Sequence, residues 1–119
     1  MLELYHHGSS VCAAKVRLAA AEKGVEFDRY HYVDILAGEQ YEEAYRRINP
    51  NMVVPSVVHD GRIINESTLI CEYLDEAFPG PALQPADPYT RYRMRSWTKA
   101  VDELLHRRTP GDESLTLVA

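Results

Sequence analysis

Residues 53–68, VVPSVVHDGRIINEST, decide the fold. Two apolar pairs, Val57-Val58 and Ile63-Ile64, flank His59-Asp60-Gly61-Arg62. Asp-Gly between apolar runs is a strong hairpin signal, because both residues accept the positive φ that a tight turn demands. Pro55 stands just ahead of the first run, where a strand tolerates it; further in, it would remove a donor from the ladder. Asn65-Glu66-Ser67-Thr68 follows the second run. It opens a segment of helical period with Ile70, Leu74, Ala77 and Phe78 on one face.

Upstream, Leu2 to Tyr5 alternates as a short strand, and His6-His7-Gly8-Ser9-Ser10 is a turn-like link. Val11, Ala14, Leu18 and Ala21 recur at helical spacing, with Gly24 suited to the C-terminal cap. Phe27 to Val33 reads as a second strand, and residues 39 to 48 as a helix ended by Asn49-Pro50. Downstream, Pro79-Gly80-Pro81 stops the post-hairpin helix. Asp87-Pro88 then pairs an N-cap with proline at the first helical position, and a last helix carries Met94, Trp97, Val101 and Leu104 in one stripe up to Thr109-Pro110-Gly111. The order is β-α-β-α-β-β-α plus a helix. Strand-helix-strand implies a right-handed parallel crossover, and the hairpin adds antiparallel strands. The expectation is an α/β protein with a mixed four-stranded sheet and helices on both faces, the order of the thioredoxin fold. It divides into 1–80, a linker at 81–88, and a helical segment at 89–119.

The chain has 119 residues, enough for one domain with a core, and a net charge of −5 that disfavours nucleic-acid or anionic-membrane surfaces. No apolar run is long enough to span a membrane, and the N-terminus lacks the regions of a signal peptide. Cys12 and Cys71 form neither a CxxC pair nor a disulfide framework, which points to a reducing, cytoplasmic setting. His6 and His7 alternate faces, and no acidic or cysteine ligand stands at suitable spacing, so a metal site is not expected. His59 reads as a solvated hairpin residue. The basic last helix, with Tyr89 and Tyr92 among its arginines but Asp102 and Glu103 following, reads as a solvated face.

Two stretches carry chemistry. The trans preference of an X-Pro bond is only about 0.5–1 kcal/mol, so a cis Val54-Pro55 bond is accessible, and it would turn the Val54 backbone outward for a ligand to pair with as an added strand. Nearby, the free N–H groups of the helix opening at Ser67 attract a carboxylate, and Glu66 an ammonium. A small peptide-like ligand with both groups fits. A plainer reading has Pro55 starting a strand and Glu66 and Ser67 capping a helix, for about 0.5–2 kcal/mol. The second stretch is Ser9-Ser10-Val11-Cys12, at a helix N-terminus that favours negative charge. A serine there holds another molecule's thiolate or merely caps the helix. Cys12 and Cys71 suit packing.

The chain resembles the N-terminal, thioredoxin-like domain of the cytosolic glutathione transferases. Four stretches carry the resemblance: SSVCAAKVRLAAAEKGVEF, INPNMVVPSVVHDG, NESTLICEYLDEAFP and PADPYTRYRMRSWTKAVDE. The last two look most like bacterial members, including β-aryl etherases. The resemblance implies a cis Pro55, a Val54 backbone that pairs with the cysteinyl part of glutathione, and a γ-glutamyl group held by Glu66 and Ser67. It places Ser10 at the catalytic position, with Ser9 and Cys12 as rivals. Glutathione would be co-substrate, its thiol activated to attack a small hydrophobic electrophile. The alternative is a truncated, non-catalytic module that binds glutathione or a protein. A dithiol oxidoreductase would need cysteine at Ser10. Two departures stand out. Val53 occupies a position where the family commonly has lysine or glutamine, and the helical half is cut to one helix. Its apolar stripe then implies a homodimer or exchange of the last helix between chains.

Overall fold

The computed structural model describes residues 1–104; the expected helix end at Thr109-Pro110-Gly111 lies outside them, as does the remainder of 89–119. Four strands, β1 (Leu2–His6), β2 (Arg29–Tyr32), β3 (Ser56–His59) and β4 (Arg62–Asn65), form one sheet in the order β2-β1-β3-β4. β1 and β2 run parallel, and the other two pairings are antiparallel. The helices are α1 (Val11–Lys23), α2 (Glu43–Arg46), α3 (Ser67–Ala77) and α4 (Pro88–Leu104). This is the thioredoxin-like arrangement followed by a further helix.

Strand alternation distributes the core. Leu2, Leu4 and Val57 pack with Val16 and Ala20 of α1, Ile70 and Leu74 of α3, and Phe27. A second cluster joins Val33, Ile35, Tyr45 and Val54, with Tyr5 and Ile48 against it. Each fully buried side chain of this size contributes about 1.5–3 kcal/mol. The hairpin turns at Asp60 and Gly61, both at positive φ.

The sequence reading needs four corrections. Val11 and Leu18 of the expected α1 stripe are exposed; the buried face is Cys12, Ala13, Val16 and Ala20. Apolar residues ring this alanine-rich helix, so its period does not select a face, and the sheet takes the side where small side chains permit close approach. The helix expected over 39–48 is a 3-10 turn at Glu39–Tyr41 and the short α2, separated at Glu42 by extended backbone (ψ 148°). In the turn ahead of it, Asp34 accepts from the Leu36 and Ala37 amides, and Glu39 from the Asp34 amide. The strand expected from Phe27 to Val33 shortens to β2, leaving Phe27 and Val33 in opposite clusters. His59 is not simply solvated: its Nδ1 lies 2.5 Å from the Tyr73 hydroxyl and its ring 5.1 Å from that of Phe78.

The segment between α3 and α4 is tied down. Lys23 Nζ donates to Asp75 Oδ1 at 2.8 Å with both side chains buried, and the Leu83 and Gln84 amides donate to the same carboxylate. Gly80, at φ +132°, passes so close that a Cβ would lie 2.5 Å from the Lys23 carbonyl. Asp87 caps α4 by accepting from the Thr90 amide at 2.9 Å. No residue of α4 is buried: Trp97 is 70% and Leu104 73% exposed, while Met94 is half-buried. The stripe read from the sequence is there, with its apolar side facing outward.

Candidate functional site

Ser56 pairs with Tyr5 of β1 on one side and Asn65 of β4 on the other. Within two residues of this row, β1 exits into His7–Ser10, β3 is entered through Val54-Pro55, and β4 exits into Glu66-Ser67. The sheet register thus gathers at one end the three segments that the sequence singled out. The Val54-Pro55 bond is cis.

The approach to that bond is clamped. The Val53 carbonyl accepts from the Tyr45 hydroxyl at 2.5 Å and from Asn49 Nδ2 at 3.0 Å. Burial pushes the Tyr45 phenol up to about 12, so it remains a donor. Neither Tyr45 nor Asn49 stood out in the sequence, where Asn49 reads only as part of a helix stop. Val54 makes no main-chain hydrogen bond among the described residues. It is 1% exposed, so its amide and carbonyl lie beneath the surface and not along an open edge, as the sequence reading had them.

Glu66 adopts φ 74°, a region that costs a residue with a side chain about 1–3 kcal/mol. Its exposed carboxylate makes no capping bond to α3, so the capping reading does not account for it. The first α3 amides, from Ser67 on, have no intrahelical acceptors. Ser67 is buried, and its hydroxyl bonds the Cys12 thiol, joining the N-termini of α1 and α3. Burial raises the Cys12 thiol above its ordinary value despite that bond, and Cys71 is pushed up to about 11, also by burial. Both are protonated at neutral pH, which disfavours Cys12 as a nucleophile.

The two serines differ. Ser10 is 1% exposed, and its Oγ accepts from the Ala13 amide at 3.1 Å as the N-cap of α1. Since that oxygen only accepts, its proton remains available. Ser9 is exposed. Among the described residues no cluster could hold a metal ion, and no helix is long and apolar enough to cross a membrane.

Residues 4–82 match the family described as Glutathione S-transferase, N-terminal domain. The chain belongs to the glutathione S-transferase family. It is similar to Protein LigF of Sphingobium sp., 45% identical over 104 residues, which cover 86% of this chain and 40% of the relative. It is also similar to Glutathione S-transferase Z1 of Arabidopsis thaliana, 41% identical over 90 residues, covering 76% of this chain and 40% of the relative. Among solved structures, the β-etherase LigF of Sphingobium sp. superposes with a TM-score of 0.78 at 37% identity, over 96% of this chain and 54% of that one. A glutathione transferase homologue from Sulfitobacter, with bound glutathione, gives 0.83 at 25% identity, over 98% and 62%. The chain thus spans about 40% of the length of the curated relatives it matches.

Proposed function

We propose that this chain binds glutathione at the sheet end and activates its thiol for attack on an electrophilic carbon. The convergence of the cis Val54-Pro55 bond, the exposed Glu66 carboxylate and the free α3 amides carries this reading. The γ-glutamyl ammonium meets Glu66 and its carboxylate meets the Ser67 end of α3. The cysteinyl backbone pairs with Val54, which requires the residues that bury it to give way. Ser10 donates to the sulfur. A charge-assisted bond of about 1.5–3 kcal/mol lowers the thiol pKa by about one to two units. A glutathione-bound relative of this fold supports the ligand.

In this reading residues 1–80 form the binding domain, and α4 begins a helical part where a small hydrophobic electrophile would sit. The outward apolar face of α4 also supports self-association of the chain. Binding without turnover is the second reading, favoured by the burial of Ser10, which is 1% exposed. Calorimetric titration with glutathione tests the site. Ser67→Ala and Glu66→Gln weaken binding at least fivefold, whereas Ser10→Ala leaves affinity within about threefold and slows reaction with a generic electrophile. If none of the three changes affinity or rate, the cleft is misassigned; binding without reaction favours the second reading.

A further inference from the structure

His7 is buried in the loop that leads into α1, with 4% of its surface exposed, and its Nε2 has no hydrogen-bond partner among the described residues. Its Nδ1 lies 3.0 Å from the Ser9 backbone nitrogen and 2.7 Å from Ser9 Oγ. A backbone N–H can only donate. Nδ1 is therefore the lone-pair nitrogen, and the ring proton of the neutral imidazole sits on Nε2. It follows that the Ser9 hydroxyl also donates to Nδ1 and presents oxygen lone pairs to solvent. Ser10 has the opposite polarity: its oxygen is occupied by the Ala13 amide and its proton is free. Two adjacent hydroxyls thus offer one acceptor and one donor.

We propose that Ser9 and His7 form a relay that removes the thiol proton of bound glutathione, a step that rests on the glutathione reading above. The thiol proton passes to Ser9 Oγ while Ser9 passes its own proton to His7 Nδ1, from which the Ser9 amide withdraws. The S–H electron pair stays on sulfur, and His7 becomes an imidazolium with protons on both nitrogens. Nε2 is 3.9 Å from Asp34 Oδ1, close enough for the carboxylate to offset that charge. The other groups facing His7 do not compete. From β2 comes the Tyr32 ring, at 4.8 Å. His6, whose Nδ1 lies 3.0 Å from an Arg17 nitrogen, is held below the usual histidine range by burial, then by Arg17 and His7. Ser9 is the catalytic residue here and His7 a positioning residue that acts through it.

The test uses the full chain saturated with glutathione and reads thiolate absorbance against pH, with protons released on binding measured in two buffers. The parent forms thiolate at pH 7 without releasing a matching proton, because His7 keeps it. Ser9→Ala binds glutathione within about threefold of the parent, loses about twofold or more of the thiolate signal at pH 7, and regains it by about pH 8.5, where the thiol ionises with the Ser10 bond alone. Ser9→Thr, which keeps the hydroxyl, behaves as the parent, and His7→Gln as Ser9→Ala. Unchanged thiolate in a glutathione-saturated Ser9→Ala variant, or full proton release by the parent, overturns the relay. Absence of glutathione binding by the parent overturns the function reading and the relay with it.

Discussion

Tyr45→Phe removes one oxygen from the clamp ahead of the cis proline, and its effect can be worked out bond by bond. The phenol carries a single hydrogen, which goes to the Val53 carbonyl. The second contact, 2.9 Å to Ser56 Oγ, must therefore have Ser56 as donor. In the variant, the Val53 carbonyl keeps the Asn49 amide as a partner. Ser56, with no exposed surface, keeps none among the described residues. A lost bond costs about 0.5–1.5 kcal/mol and an orphaned buried hydroxyl about 1–3 kcal/mol, so the sum is about 1.5–4.5 kcal/mol. Urea unfolding at pH 7 measures it. Tyr45→Phe/Ser56→Ala removes the orphan and should be less destabilised than the sum of the two single changes by about 1 kcal/mol or more. The phenol also predicts an alkaline signature. Its pKa rises from 10.0 to about 12 on folding, so the stability it supplies is complete below pH 10 and is lost as pH rises through about 12. Tyr45→Phe lacks that component. A single variant within 0.5 kcal/mol of the parent, or strictly additive single changes, would refute the clamp.

Lys23→Met leaves the Asp75 carboxylate, 8% exposed, without its cation and should cost about 3–5 kcal/mol in urea unfolding at pH 7. Desolvation pushes Asp75 upward, but hydrogen bonds from Lys23, the Leu83 amide and Gln84 outweigh it and hold the group below 3.8. The pair's stability is therefore present at neutral pH and lost as pH falls below about 4, and the variant should lose less between pH 7 and pH 3.5 than the parent. For the α4 face, sedimentation at tens of micromolar should show the parent self-associated and Trp97→Glu as monomer, and a sharp monomer for both would remove the self-association proposal.

Much of this molecule follows from local pattern. Asp60-Gly61 sets the hairpin because few other pairs accept two positive φ values in succession. The spacing of Ile70 and Leu74 sets the buried face of α3, and Asp87-Pro88 the start of α4. Those signals lie within a few residues, where steric and hydrogen-bond rules act directly. The cis bond was accessible from sequence, but the burial of Val54 was not, because it depends on what the other segments lay over it. The same holds for α1, whose alanine-rich surface lets the sheet choose the buried side. It holds for the 39–48 segment too, which breaks at Glu42 between a 3-10 turn and α2. At the candidate site the sequence supplied Ser9, Ser10, Val54, Pro55, Glu66 and Ser67 as residue types, while the register Tyr5–Ser56–Asn65 brought their segments to one end of the sheet. The roles of His7, Tyr45 and Asn49 at the site entered only with the tertiary structure. A histidine's tautomer and a carbonyl's donors are set by neighbours in space, and no spacing along the chain encodes them.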